Sequence, residues 1–110
     1  MARFSNPAPF ELDQERWSDG TIVLWVRGEL DVVSTPVLRD MLDALAGKGR
    51  TVMVNVREVT FMDSTGLNLL IRSKQHAEQD GWSLRVAREV SPQVARLFEL
   101  TAISEYLLSE

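Results

Sequence analysis

Thr51-Val52-Met53-Val54-Asn55-Val56, then Arg57-Glu58-Val59-Thr60-Phe61-Met62, then Asp63-Ser64-Thr65-Gly66-Leu67-Asn68-Leu69-Leu70, is the stretch from which the rest of the chain can be read. Its first part is a nearly continuous apolar run rich in β-branched residues, the pattern of a strand covered on both faces. Its last part predicts a helix, because Leu67, Leu70 and Ile71 recur at helical spacing behind Asp63, Ser64 and Thr65. Carboxylates and hydroxyls suit that entrance, where the first backbone N–H groups of a helix lack partners. A hydroxyl pair thus stands beside a carboxylate at the positive end of a helix, just past a buried strand. Such an end favours negative charge, phosphate included.

Toward the C-terminus, the helix runs to about Asp80 and Gly81 stops it. Trp82-Ser83-Leu84-Arg85-Val86-Ala87 alternates apolar and polar and predicts another strand. Ser91-Pro92 opens a further helix with Val94, Leu97 and Phe98 facing inward. Ile103, Tyr106, Leu107 and Leu108 are expected to dock on the core as a final helical turn or a short edge strand.

Toward the N-terminus, Gly47-Lys48-Gly49 ends a helix that begins at Thr35-Pro36, with Thr35 as expected N-cap and Pro36 in the first helical position. Val37, Leu38, Met41, Leu42 and Leu45 form its apolar stripe. The glycine pair is a cap and turn, since the spacing of a phosphate loop is absent. Gly28-Glu29-Leu30-Asp31 closes a strand over Thr21–Arg27, which Ser18-Asp19-Gly20 joins as a hairpin to an earlier strand containing Phe10, Leu12 and Trp17. Residues 1–9, with Pro7 and Pro9, are expected to be a flexible lead, leaving 10–110 as one domain. The order predicts an α/β fold: a mixed, mostly parallel sheet of four to five strands backed by helices.

Composition narrows the function classes. The 110 residues suit a single core. Twelve Lys and Arg against sixteen Asp and Glu give a net charge of −4, which speaks against a nucleic-acid surface. Arg85, Arg88 and Arg96 are read as a solvated face. Trp17, Trp25 and Trp82 are read as core or edge packing, not base-stacking platforms. With no cysteine, thiolate catalysis, disulfides and Cys-ligated metals are excluded. No apolar run approaches the ~20 residues that cross a bilayer, and the N-terminal stretch lacks the apolar block of a signal peptide, so no membrane and a cytoplasmic location are expected. His76, the single histidine, falls twelve residues beyond Ser64, about 18 Å along the same helix, too far to act as its base. No catalytic residue, metal or cofactor is therefore expected. A monomer is expected too, because no apolar stripe is left over once the core is assigned.

Three segments together resemble a known family: Gly28-Glu29-Leu30-Asp31; Val59-Thr60-Phe61-Met62-Asp63-Ser64-Thr65-Gly66-Leu67; and Ser91-Pro92 followed by Leu97-Phe98-Glu99-Leu100-Thr101. They look like a STAS domain over about residues 10 to 108, and more narrowly like the bacterial anti-sigma factor antagonists. The resemblance implies a binding module, not an enzyme. In such proteins the unphosphorylated form binds an anti-sigma factor that is also a serine kinase, which frees a sigma factor. The kinase modifies the hydroxyl residue after the motif Asp, here Ser64, and a serine phosphatase reverses it. Asp31 matches the acidic residue near the acceptor, and Glu29, Asp63, Thr65, Gly66 and Asn68 join it as the expected partner-binding set. Any Mg²⁺ at the carboxylates would be that of the kinase's ATP. This chain departs from the pattern at Asn68, where Gly is common in the family, and at Thr101-Ala102, where many relatives have Thr or Ser followed by Gly.

Phosphorylation would add about −1.5 to −2 charge at pH 7. The helix end would accept it, whereas Glu29, Asp31 and Asp63 would make an already negative patch more so. Three alternatives stay open on sequence grounds. Ser64 can be a plain N-cap; the chain can be a STAS subunit of a stress-sensing scaffold or lipid-transport complex without a phosphorylation switch; or the acidic strand ends can serve weak nucleotide binding or hydrolysis.

Overall fold

A β-hairpin and two strand–helix–strand crossovers set the architecture. The computed structural model describes residues 10–108, so the expected lead over 1–9 and the domain's last two residues lie outside the described residues. Strand β1 (Glu11–Arg16) turns through Trp17–Gly20 into β2 (Ile22–Leu30), pairing antiparallel with Leu12 opposite Val26. Gly20 has φ +93°, the left-handed conformation that this tight turn requires. Helix α1 (Thr35–Leu45) leads to β3 (Thr51–Met62), and α2 (Ser64–Asp80) leads to β4 (Ser83–Val86). Both crossovers join parallel neighbours, and the sheet order is β1-β2-β3-β4. The chain advances in one direction across the sheet, so right-handed crossovers place α1 and α2 on the same face, where the two helices touch. Helix α3 (Pro92–Leu100) packs on β3, and the single turn α4 (Ser104–Leu107) packs on α2 and α3.

The core lies between that helical layer and the sheet. Ile22, Leu24, Val26 and Leu30 of β2 meet Val52, Val54, Val56 and Val59 of β3, Leu84 and Val86 of β4, and Leu38, Leu42, Leu67, Leu70, Val94 and Phe98 from the helices. The other side of the sheet is polar and cross-linked. Arg27 pairs with Asp13 and Glu58, and the Trp25 indole N–H donates to Glu15 Oε1 at 3.1 Å.

Several expectations hold, and others are corrected. Gly81 terminates α2 with φ 83°, and Ser91 caps α3 by accepting from the Val94 N–H at 3.3 Å. The tail forms a helical turn followed by a parallel bridge from Leu108 to Val86, so it combines both expected forms. Strand β2 does not close at Gly28. It continues to Leu30, because the register shifts between Trp25 and Arg27 and again between Gly28 and Glu29 while Gly28 adopts φ 93°. Bulges of this kind let a strand bend and keep pairing. Thr35 is not the cap of α1. Ser34 occupies that position without a capping side-chain bond, and Thr35 is the first helical residue. Val37 lies off the buried stripe of Leu38, Leu42 and Leu45 and is 51% exposed. Trp17 is also exposed, by 44%, at the hairpin end.

Candidate functional site

The carboxyl ends of the parallel strands β2 and β3 carry the candidate residues. At the end of β2 the chain must reverse into α1 within four residues, and Asp31 and Ser34 organise that reversal. Asp31 Oδ1 accepts from the backbone N–H groups of Val33 and Ser34, each at 3.0 Å. The Ser34 hydroxyl donates to the Glu29 carbonyl at 2.6 Å and accepts from the Asp31 N–H at 3.0 Å. The Thr35 N–H then closes the turn on the Asp31 carbonyl at 2.8 Å. The Ser34 backbone N–H, with the Val33 N–H beside it, holds the Asp31 carboxyl below its ordinary pKa. Asp31 is therefore an ionised turn-former with one oxygen already engaged. Ser34, buried beneath it, went unread in the sequence, although the Asp-x-x-Ser spacing of an Asx-type turn was its signal.

At the end of β3, Asp63 is extended (φ −103°, ψ −174°) and caps α2, its Oδ1 accepting from the N–H groups of Thr65 at 2.9 Å and Gly66 at 3.2 Å. The plain capping role left open for Ser64 thus belongs to Asp63. Ser64 is the first helical residue, it is exposed, and its hydroxyl has no hydrogen-bond partner among the described residues. Thr65 is half-buried, while Asn68 is exposed one turn further along.

Gly66 is what lets the start of α2 lie against the end of β2. The Asp63 N–H donates to the Leu30 carbonyl at 3.3 Å. A Cβ on Gly66 would stand 2.9 Å from that same oxygen and 2.8 Å from Leu30 Cγ. Only a residue without a side chain allows α2 to start this close to β2. Ser64 and Asp63 are thereby set next to the turn that begins at Asp31, with Glu29 opposite Phe61 in the register. The acidic residues frame the spot without converging on a cation: among the described residues no group of three His, Cys, Asp or Glu could hold a metal.

Exposed apolar side chains surround this end of the sheet. Val32 is 66% exposed, Val33 81% and Phe61 48%, and Val37 lies in the first turns of α1. Sequence periodicity missed them, since Val32 and Val33 fall in a turn and Phe61 at a strand end, where no period applies. These side chains are apolar surface that the assignment of apolar stripes did not anticipate. Between α1 and α2 runs a cleft of about 510 Å³, with Ser64 and Thr65 at one end and His76 further along.

The described helices include none long and apolar enough to cross a membrane. Residues 14–109 match the family model described as Mlab, STAS domain. The chain is 32% identical over 90 residues to the anti-sigma-B factor antagonist of Bacillus subtilis, covering 82% of each chain. It is 36% identical over 83 residues to the protein of the same name from Staphylococcus aureus, covering 74% of this chain and 76% of that one. Among solved structures, an anti-sigma factor antagonist from Mycobacterium paratuberculosis superposes with a TM-score of 0.74 at 24% identity, covering 96% of this chain and 89% of the other. The antagonist SpoIIAA in its unphosphorylated form superposes at 0.69 and 22% identity, covering 91% and 89%. With the mixed sheet, the capped α2 and the Asp63-Ser64-Thr65-Gly66 entrance in place, the match over nearly its whole length makes this chain a member of the STAS domain family.

Proposed function

We propose that this protein is an anti-sigma factor antagonist that binds an anti-sigma factor serine kinase, is released when that kinase phosphorylates Ser64, and is restored by a serine phosphatase. One observation carries the reading: Ser64 presents an exposed hydroxyl that the helix does not use, because Asp63 does the capping. The relatives from Bacillus subtilis and Staphylococcus aureus that bear the antagonist name support it. In this reading Val32, Val33, Val37 and Phe61 supply the apolar contact, and Glu29, Asp31, Asp63, Thr65, Gly66 and Asn68 form the acidic and polar part of the docking face. A phosphate at Ser64 sits comfortably on the positive end of α2, so the fold stays intact. The partner surface, fitted to a neutral hydroxyl, then meets a desolvated dianion among carboxylates. A loss of ~1–3 kcal/mol per spoiled contact is enough to switch binding. The device is local electrostatics without refolding, and it belongs in the cytoplasm, where kinase, sigma factor and ATP meet.

The test is to incubate the purified protein with ATP and each histidine-kinase-like serine kinase of its own genome, then map phosphate by mass spectrometry. Phosphate on Ser64, absent in Ser64→Ala, is expected. Ser64→Ala should bind the kinase constitutively, and Ser64→Asp should bind weakly with an unchanged melting temperature. If no kinase labels Ser64, the reading gives way to a STAS subunit of a stress-sensing scaffold or lipid-transport complex that is never modified there.

A further inference from the structure

One face of the sheet is covered by none of the described helices. The buried apolar residues of those helices all belong to the core on the opposite face, and Val23, 2% exposed, is the one buried apolar side chain among the described residues that the core does not include. Val23 alternates with the core residues Ile22 and Leu24 along β2 and so points to the open face. Half-buried Met53 stands beside it in β3, and half-buried Trp25 follows two positions on. The runs Ile22–Val26 and Val52–Val54 have the continuous apolar pattern of strands covered on both sides, yet the described helices cover one side only. The charges on the open face are also ordered. The register sets Glu15, Val23, Met53 and Arg85 in one row across the four strands, acidic at the β1 edge, apolar in the middle and basic at β4. Arg27 is neutralised by Asp13 and Glu58, and Arg57 by Glu89. Arg85 is exposed and has no hydrogen-bond or ion-pair partner among the described residues. Glu11 and Glu15 have no ion-pair partner there either, and Glu15 accepts only the Trp25 indole N–H, at one oxygen.

We propose that this face pairs with the same face of a second copy of the chain, about a twofold axis parallel to the strands. Such an axis turns the row end for end, so Glu15 of each copy meets Arg85 of the other, and Val23 meets Met53. A twofold axis across the strands would lay β1 on β1 and β4 on β4, acid against acid and base against base. The order of charges therefore selects the first arrangement. Sheets packed face to face stand about 10 Å apart, a gap that Trp25, Met53, Glu15 and Arg85 are long enough to fill from both sides. Four strands about 4.8 Å apart and some six residues long outline roughly 400 Å² per copy, about half the area each partner gives to a standard interface. The pair is accordingly weak and forms at high protein concentration. The inference does not rest on Ser64 or its phosphorylation, because it concerns the chain with itself.

The experiment is sedimentation equilibrium of the full chain from about 10 μM to about 1 mM, where a monomer–dimer equilibrium is expected. Glu15→Arg and Arg85→Glu should each weaken dimerisation by about tenfold or more, since each change sets like charges together twice. Mixed one to one, the two variants should associate at least as well as the parent, because their altered charges are complementary in the mixed pair. Arg96→Glu on α3, the same change of charge away from this face, should associate like the parent. Arg85 has no partner to lose within the chain, so Arg85→Glu keeps the test decisive should Glu15→Arg destabilise the hairpin. The proposal is overturned by a monomer throughout the range, by a dimer that Arg85→Glu leaves intact, by no recovery in a mixture of variants whose circular dichroism matches the parent's, or by Arg96→Glu weakening association as much as Arg85→Glu.

Discussion

Gly66→Ala is the most direct test of how the site is held together. In the interior of an ordinary helix this change stabilises by about 1 kcal/mol, because alanine is the better helix former. Here the new methyl would lie 2.9 Å from the Leu30 carbonyl oxygen and 2.8 Å from Leu30 Cγ. Neither neighbour is the loose end of a flexible side chain. Leu30 is fully buried, and its carbonyl also accepts from the Asp63 N–H. To restore van der Waals distance, α2 must back away from β2, which lengthens that hydrogen bond and loosens Leu67 and Leu70 in the core. Overpacking of this kind costs roughly 1–3 kcal/mol, so after the helical gain a net loss of about 1 kcal/mol is expected. In a domain of this size that is a fall in melting temperature of roughly 4–8 °C. Thermal melts followed by circular dichroism, with urea midpoints as a second measure, read it directly. A variant as stable as the parent, or more so, would refute the close approach of α2 to β2 and with it the placement of Ser64 beside the Asp31 turn.

The other predictions rest on separate parts of the chain. Ala102 has φ 56° and completes a Schellman-type end to α3, its N–H donating to the Glu99 carbonyl and that of Ile103 to the Phe98 carbonyl. Ala102→Gly should therefore raise stability by ~0.5–1 kcal/mol, the relief of left-handed strain less the added freedom of the unfolded chain; a lower urea midpoint would contradict that strain. Asp63→Ala removes the acceptor for Thr65 and Gly66 and should cost about 1 kcal/mol in chemical denaturation, with Asp63→Asn recovering most of it. The lowered pKa of Asp31 links folding to protons. Because the folded value lies below the unfolded one, the stability it contributes is present above about pH 4 and drains away as pH falls through the folded value. Asp31→Asn should flatten that acid limb of the pH–stability profile, and an unchanged slope would show that the carboxylate is not engaged with the turn.

What one dimension of sequence carried was everything with a period or a punctuation mark. The β-branched run Val52–Val56, the helical recurrence of Leu67 and Leu70, the Pro36 and Pro92 starts and the Gly81 stop fixed the order of elements and hence the mixed sheet, because these signals act through residues close in the chain. The motif Asp63-Ser64-Thr65-Gly66 was equally legible as a helix entrance. Which of its side chains caps and which is free was not, for that depends on the extended backbone of Asp63 leaving β3. The bulged continuation of β2 past Gly28 was out of reach, because it depends on the register with β3, distant along the chain. The exposure of Val32, Val33 and Phe61 was out of reach too, because in a turn and at a strand end no period says which side chains the rest of the fold will cover. The reason for Gly66 belongs there as well, since a missing side chain explains itself only when the carbonyl of Leu30, thirty-six positions earlier, comes to rest against it.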